Sequence, residues 1–425
     1  MVGATGAARH AADVAVIGAG AAGLAAAREL RAEGHRVCVF EADVAVGGTW
    51  RYCATPGGHT SMYASLRTNL PRELMAFADL PFAASAPLAG DARRYPGHRE
   101  VLAYLELYAA RYDLLPLIQF GTLVLRARPL SDAGFLGPRW EIQTQAGAAT
   151  TTRTFDACVV CNGHYSRPRT PPVDGIAEFP GSVTHTHDYR TAQPFAGLRV
   201  VVVGAAASGE DVSRDIATVA AQVFLSAASW QTEGPLAGVQ KRPMLTRLRH
   251  DGSAEFADGS REAVDAVVFA TGYRFTFEPF LQGGLVNAED KCVSPLFEHV
   301  FPPAAPTLAF IGLPWKVVPF PMFELQARWV ARLLSGAVPL PSEETMARAI
   351  ADAEAALQPR GLKPRRHAHA MTQAEQFDYD DRLAAYARTT PLPPWRREMY
   401  AANSRNKRAR PDTYRDTWDV ADARL

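Results

Sequence analysis

The sequence is poor in cysteine and has no excess of charge of either sign. Five cysteines in 425 residues are too few for a disulfide framework and favour a reducing compartment. Because 45 Lys and Arg residues balance 44 Asp and Glu residues, no attraction to nucleic acid or to an anionic membrane is expected. No apolar run approaches the ~20 residues that span a bilayer.

Several other chemistries lack their sequence signatures. The chain shows no P-loop, no nucleophile elbow and no metal-ligating cluster, so no metal site is predicted. The first thirteen residues lack the continuous apolar core of a signal peptide, although their Arg and Ala content leaves organellar targeting open. With 48% hydrophobic and 21% charged residues, we expect a soluble, cytoplasmic chain of two or three domains.

The stretch from Asp13 to Trp50 carries the pattern of a dinucleotide-binding unit. A short apolar strand over 13–17 leads into a turn made of Gly18, Ala19, Gly20, Ala21, Ala22 and Gly23. A predicted helix follows, and then a second strand that ends at Glu41. Gly18 predicts a tight turn, Gly20 a close approach of the backbone to a pyrophosphate, and Gly23 close packing of helix on strand. The Glu41 carboxylate suits a ribose without a phosphate, so FAD or NAD is predicted over NADP.

A second unit of the same kind begins at Leu198. Its apolar strand ends in a turn made of Gly204, Ala205, Ala206, Ala207, Ser208 and Gly209, and the next helix opens with Glu210 and Asp211. Two such units predict two dinucleotide sites, as a flavin reduced by a nicotinamide requires. The chain is therefore predicted to be α/β, with two Rossmann-like domains and the nicotinamide domain inserted into the flavin domain. The predicted limits are 1–172 and 275–425 for the flavin domain, which ends in a helical and irregular extension, and 173–274 for the nicotinamide domain.

Further motifs resemble those of the flavin-containing monooxygenases. FPGSVTHTHDY at 179–189 fits the family pattern F-x-G-x-x-x-H-x-x-x-[YF] through Phe179, Gly181, His185 and Tyr189. Other stretches that resemble the family are GGTW at 47–50, SLRTNLP at 65–71, CNGHYSRPRTP at 161–171, FATGY at 269–273 and FPMFELQA at 320–327. The similarity covers nearly the whole chain and is greatest to the plant branch that oxygenates the sulfur of glucosinolate side chains.

This resemblance implies an FAD- and NADPH-dependent monooxygenase. NADPH at the second site would reduce FAD at the first, and a C4a-hydroperoxyflavin formed with O2 would pass one oxygen atom to a soft nucleophile, a sulfide or an amine. The resemblance assigns flavin contacts to Gly48, Thr49, Trp50, Thr68, Asn69, Leu70 and Gln326. It makes Asn69 the catalytic residue, since its amide could hydrogen-bond the flavin adduct or the nicotinamide ribose. It also directs the N-terminus of a predicted helix over 321–335 at the flavin.

Other activities of the same architecture stay open. A flavin-dependent disulfide reductase would use Cys158 and Cys161, but their spacing on a predicted strand places the two thiols on opposite faces. Baeyer–Villiger enzymes carry Trp where this chain has Tyr189, followed here by Arg190, so heteroatom oxygenation is favoured, at sulfur before nitrogen. N-hydroxylating monooxygenases and an NADPH oxidase that releases peroxide are the remaining alternatives.

The second dinucleotide-binding unit departs from the family pattern in two places. Ala206 stands where the pattern has its middle glycine, and its methyl group is tolerable if φ stays negative. Residues 227–229, Ala-Ala-Ser, lie where many relatives present an arginine to the 2′-phosphate. Lys241 and Arg242 are candidates to supply that charge, and a solvated surface pair is the equal alternative for them. NADPH use is predicted. Whether the preference for NADPH is relaxed enough to admit NADH stays open. Expected partners are O2 and a small sulfide or amine; the oligomeric state, a homodimer included, is open.

Overall fold

The computed structural model describes residues 10–83, 85–230, 234–277 and 280–418. Its strands are, in chain order, β1 Asp13–Ile17, β2 Arg36–Phe40, β3 Ile118–Gln119, β4 Thr122–Ala133, β5 Pro138–Ala146, β6 Ala149–Phe155, β7 Ala157–Val160, β8 Arg167–Pro168, β9 Ser182–His185, β10 Arg199–Val203, β11 Gln222–Ser226, β12 Val239–Arg242, β13 Leu245–Leu248, β14 Ser253–Phe256, β15 Arg261–Ala263, β16 Ala266–Phe269, β17 Tyr273–Arg274, β18 Asn287–Glu289, β19 Cys292–Ser294 and β20 Leu308–Phe310. Its α-helices are α1 Ala21–Ala32, α2 Arg72–Met75, α3 His98–Arg111, α4 Ala207–Ala217, α5 Pro319–Leu334, α6 Glu343–Ala355, α7 Pro364–His367, α8 Gln373–Tyr386, α9 Trp395–Ala409 and α10 Tyr414–Thr417.

The first unit is a three-layer sandwich around a parallel sheet. The sheet has the strand order β20-β7-β1-β2-β3. Val14 and Val16 of β1 face a core that contains α1 and α5, while Ala15 and Ile17 face the antiparallel sheet β4-β5-β6. Because both faces are covered, β1 is apolar at successive positions instead of alternating with polar residues.

The second unit repeats this layering within the chain that separates β7 from β20. Its parallel sheet has the order β12-β11-β10-β16-β9, with α4 on one face and the antiparallel sheet β13-β14-β15 on the other. The two connecting segments pair with each other, β8 antiparallel to β17. Since β20 returns to the first sheet beside β7, the second unit is an insertion. The predicted fold class is confirmed.

The C-terminal region packs back onto both units. Helices α8 and α9 lie against α5 and α2, and Phe377, Met399, Tyr414 and Trp418 share a core with Leu74 and Tyr95 of the first unit. The predicted helix over 321–335 begins at Pro319 instead, because proline suits the first turn of a helix, where its missing N–H has no intrahelical partner. In the described ranges, no helix is long and apolar enough to cross a bilayer.

Candidate functional site

The first and last glycines of each glycine turn are required by the packing of the protein itself. Gly18 and Gly204 adopt φ values of +104° and +110°, and a Cβ at either would lie 2.6 Å from a carbonyl oxygen of a neighbouring segment. A Cβ at Gly23 would lie 1.8 Å from the Gly18 oxygen, and one at Gly209 would lie 1.7 Å from the Gly204 oxygen. Neither distance is compatible with a side chain, so each helix packs on its turn only through glycine.

The middle position of each turn is under no such constraint from the protein. Gly20 has φ −72° and ψ −174°, and Ala206 has nearly the same conformation, with φ −84° and ψ −175°. A Cβ at Gly20 would meet only the backbone of Gly48, at ordinary contact distances of 3.6 Å from Cα and 3.9 Å from N. The negative φ of Ala206 meets the condition under which its methyl group is tolerated. The protein itself therefore does not require glycine at position 20, and the approach of a ligand is the reason that the sequence pattern predicts for it.

Both helix N-termini at these turns lack a side-chain cap. Neither Gly20 before α1 nor Ala206 before α4 makes a capping hydrogen bond, and no acidic residue occupies the first turn of α1. The first N–H groups of a helix have no intrahelical acceptor, and with the helix dipole they form an anion site. Glu210 lies in the first turn of α4, so the second turn is less favourable to an anion than the first. Binding of a dinucleotide pyrophosphate at residues 18–23 and 204–209 stays a prediction.

Glu41 lies at the end of β2, beside the first turn. It is 8% exposed, and its Oε2 accepts a hydrogen bond from the Ala19 N–H at 2.6 Å while Oε1 accepts one from the Asp43 N–H at 2.8 Å. Each carboxylate oxygen has a second lone pair. The carboxylate is therefore held in place by the backbone and keeps acceptor capacity for ribose hydroxyls.

The segment after β2 brings Gly48, Thr49 and Trp50 to the same turn. A Cβ at Gly48 would lie 3.0 Å from Gly20 Cα, so the two backbones meet. Trp50 is half-buried, and its ring contacts the edge of Phe320 with centroids 6.4 Å apart. Because Phe320 is in the first turn of α5, the N-terminus of α5 lies beside the Gly48–Trp50 segment.

Asn69 projects from a backbone segment that is fixed on both sides. Thr68 is buried; its N–H donates to the Pro96 carbonyl at 2.9 Å and its hydroxyl donates to the Leu70 carbonyl at 2.8 Å. The Asn69 residue is exposed, and no described residue hydrogen-bonds its side-chain amide. The structure thus presents an unengaged amide from a rigid backbone.

Comparisons with known proteins identify the family. The family model described as flavin-binding monooxygenase-like matches residues 11–233 and 236–395. FMO GS-OX-like 4, a flavin-containing monooxygenase of Arabidopsis thaliana, is 44% identical over 96% of this chain and 94% of its own length. The chain belongs to the flavin-containing monooxygenase family. A second Arabidopsis relative, FMO GS-OX5, is 43% identical over 96% of this chain and 92% of its own length.

Solved structures agree with this assignment. S-allyl-L-cysteine S-oxygenase from Allium sativum is 39% identical, has a TM-score of 0.90, and the match covers 98% of this chain and 99% of that one. Tmm from Pelagibacter is 26% identical, with a TM-score of 0.82 and coverage of 95% and 93%. Cyclohexanone monooxygenase from Rhodococcus, 18% identical with a TM-score of 0.62 over 89% and 97% of the chains, shares the fold alone. The family implies FAD and NADPH as cofactors of this enzyme.

Arg415 bridges the two dinucleotide units of the enzyme. Its Nη1 donates to Asp211 Oδ1 at 2.6 Å, and its Nε donates to the Thr68 carbonyl at 3.0 Å. The Tyr63 hydroxyl also donates to Asp211. Burial alone would raise the pKa of the Asp211 carboxyl, but Arg415 and Tyr63 outweigh it and hold that pKa below its usual value. Asp211 therefore anchors the N-terminus of α4 to the Thr68–Leu70 segment.

We expect Arg415→Met to lower kcat/KM for NADPH by about tenfold or more while flavin content is retained. The change removes the cation nearest to the buried Asp211 carboxylate, leaving Arg214 at 3.7 Å, and it frees the Thr68 backbone. Small misplacements of reacting groups are costly. Steady-state kinetics with NADPH and the flavin-to-protein absorbance ratio measure both quantities. Arg408→Met, an exposed arginine of α9, is the matched control. Wild-type kinetics in Arg415→Met would contradict the bridging role.

The motif residues His185 and Tyr189 brace the start of the second unit. Burial, with the neighbouring His187, lowers the pKa of His185 to about 4, so its ring is neutral at neutral pH. The Tyr189 hydroxyl donates to Asp215 of α4. Next to Tyr189, the buried Arg190 guanidinium donates to the backbone carbonyls of Cys53, Thr55, Thr60, His187 and Tyr189. This group holds the loop after Trp50 against the second unit, a function that sequence reasoning did not assign to Arg190.

Gln326 and Glu210, both predicted to contact a cofactor, are almost completely buried by other parts of the protein. Gln326 is fully buried; its Oε1 accepts from the Gly312 N–H at 3.0 Å, and its Nε2 donates to the Tyr379 hydroxyl at 2.8 Å. Glu210 is 1% exposed, and its Oε2 lies 3.7 Å from Lys407 Nζ. Direct contact of either residue with a cofactor stays a prediction, and both hold elements that border the site.

The two cysteines of the dithiol alternative are on opposite faces of the first sheet, as their spacing predicted. Cys158 packs toward the antiparallel sheet, and Cys161, just beyond β7, packs toward α1 and α5. Both are free thiols. Burial raises the pKa of Cys158 to about 12 and raises that of Cys161 as well. Thiols in this state are poor nucleophiles, so the geometry gives no support to a disulfide reductase.

The two cations proposed for a 2′-phosphate lie beside the end of β11. Arg242 pairs with Ser226 across β12 and β11, so it is level with Ala227 at the start of the next loop. Its guanidinium is paired with Glu262 at 2.5 Å. The Lys241 ammonium donates to the Gly234 carbonyl at 2.6 Å and lies 5.8 Å from the Trp230 ring centre. Both side chains are near the position predicted for the 2′-phosphate, and each already has a partner within the protein.

Proposed function

We propose that this enzyme uses FAD and NADPH to insert one oxygen atom of O2 into the sulfur of a small thioether, with amines as the second class of substrate. The observation that carries the proposal is the pair of uncapped glycine turns, together with the Thr68–Leu70 segment that Arg415 ties to α4 and from which Asn69 presents a free amide. The preference for sulfur is supported by the Allium relative, an S-allyl-L-cysteine S-oxygenase.

In this proposal the residues of the first unit hold FAD. The N–H groups of the turn Gly18–Gly23 bind the pyrophosphate, Glu41 accepts from the ribose, and Gly48, Thr49 and Trp50 line the flavin. Bound flavin supplies the redox and oxygen chemistry. The protein contributes orientation, exclusion of water and an amide donor at Asn69, while the N-terminus of α5 favours negative charge near the ring.

The second unit is proposed to hold NADPH. The turn 204–209 binds the pyrophosphate, and Lys241 and Arg242 lie at the end of the sheet where the 2′-phosphate is expected. Because both cations already have protein partners, we propose that the preference for NADPH over NADH is relaxed. The proposed limits of the two units are those predicted above, 1–172 with 275–425 and 173–274.

Product analysis under 18O2 tests this function. The purified holoenzyme is supplied with NADPH and, in separate reactions, S-allyl-L-cysteine, a tertiary amine and a cyclic ketone. We expect a sulfoxide with one 18O atom, formed in step with NADPH oxidation. A lactone without sulfoxide would establish a Baeyer–Villiger enzyme instead, and an N-oxide alone would move the preference to nitrogen. NADPH consumption that yields only peroxide would identify an oxidase.

A further inference from the structure

A cationic groove lies where the two units are connected. It has a volume of about 640 Å³ and is formed by β8, β17, the β18–β19 hairpin and the α7 region. Six cationic side chains line it: Arg167, Arg169, Arg274, Lys363, Arg365 and Arg366. No residue of either proposed cofactor site is among its lining residues. The groove is therefore a separate feature, and it does not depend on the proposed function.

Its positive charge is only partly neutralised. Of the described lining residues, two are acidic: Glu289 pairs with Arg365 at 2.8 Å, and Asp290 lies 3.3 Å from Arg169 and from Arg366. Among the described residues, no carboxylate forms an ion pair with the other three cations, Arg167, Arg274 and Lys363. Arg167 and Arg274 lie opposite each other on β8 and β17, so two like charges are held on facing strands.

The excess charge affects groups behind the groove. The Lys291 ammonium, which lies 4.4 Å from the Trp315 ring centre, has its pKa lowered by burial and by Arg169, Lys316 and Arg366, against the opposing effect of Asp290. Phe275, Phe277 and Val286 form an apolar part of the wall. Low-dielectric walls strengthen the field of clustered charges in a concave site, and such a site concentrates ions of the opposite sign.

We propose that this groove binds a compact polyanion that carries phosphate or carboxylate groups. The volume is that of a small-molecule site, and guanidinium groups match both kinds of anion through paired hydrogen bonds. Because β8 and β17 belong to the two segments that connect the units, the bound anion contacts both connections.

Titration calorimetry of the holoenzyme tests the groove. The protein is saturated with NADP⁺, which fills the other phosphate site, and the ionic strength is kept constant with NaCl. Pyrophosphate and citrate are titrated in separate arms, so that the two sources of anionic groups are distinguished. We expect saturable binding of at least one of them, and an affinity at least about tenfold lower in Arg167→Gln/Arg274→Gln. The exposed Arg408→Gln variant serves as the matched control and is expected to bind as wild type.

Absence of saturable heat from both anions would overturn the proposal. Unchanged affinity in the double variant, or an equal loss in Arg408→Gln, would overturn it too, because the binding would then be independent of the groove. Arg167 and Arg274 are exposed and their side chains make no hydrogen bond to a described residue, so the double variant is expected to fold. Lys363→Gln, at a lining residue outside β8 and β17, provides a second variant for which a lower affinity is likewise expected.

Discussion

Gly20→Val is expected to yield folded protein that has lost bound FAD. In the folded chain a Cβ at Gly20 meets only the Gly48 backbone, no nearer than 3.6 Å, and φ is −72°, so the backbone accepts a side chain without strain. The valine methyl groups would instead fill the space in front of the uncapped N-terminus of α1, where the pyrophosphate must approach. We expect flavin content to fall at least about tenfold, which corresponds to about 1.4 kcal/mol of binding free energy.

Flavin absorbance relative to protein, together with circular dichroism, measures this outcome, and two further substitutions in the glycine turns provide controls. Ala206→Val makes the equivalent change in the second unit and is expected to keep FAD while weakening NADPH. Gly23→Ala places a Cβ 1.8 Å from the Gly18 oxygen and is expected to disrupt folding itself. Full flavin content in Gly20→Val would mean that FAD binds elsewhere.

The dinucleotide units could be predicted from sequence because their requirements are local. Gly23 is needed because a Cβ there would meet the Gly18 oxygen within the same turn, and the apolar strand β1 is buried on both faces. Such constraints act over a few residues, so the residues themselves display them. The insertion of the second unit followed from the same patterns, since the chain between β7 and β20 contains a complete second unit.

The contacts between the units could not be predicted in this way. Arg415 donates to Thr68 across 347 residues of chain, and no local pattern in the sequence indicates which residue it contacts. Arg190 follows the motif tyrosine directly, which is a signal that could have drawn attention to it, but its five carbonyl partners belong to a distant loop and to its own linker. The cationic groove is likewise assembled from segments that are far apart in sequence.

Asn69→Ala is expected to uncouple NADPH oxidation from oxygenation. Thr68 and Leu70 are fixed by hydrogen bonds, and the Asn69 carbonyl accepts from Asn403 Nδ2 at 3.4 Å, so the backbone is held while the amide is free. An amide in this state is preorganised to donate to a group bound beside it, and loss of one such donor costs on the order of 10²-fold in rate. We expect oxygenated product per NADPH to fall by about that factor, with peroxide released in its place.

Asn69→Asp separates donation from shape, since the carboxylate has nearly the size of the amide but has no N–H. If donation is the function, both variants lose product to a similar extent while flavin content stays at the wild-type level. Retained coupling in Asn69→Asp would show that only the volume of the side chain is needed, and retained coupling in Asn69→Ala would remove Asn69 from the reaction. The Asn403 side chain links the Tyr95 hydroxyl, from which it accepts at 2.7 Å, to the Asn69 carbonyl, to which it donates. Asn403→Ala removes this link and frees the backbone at Asn69. We expect it to lower the oxygenated product per NADPH to a value between those of wild type and Asn69→Ala.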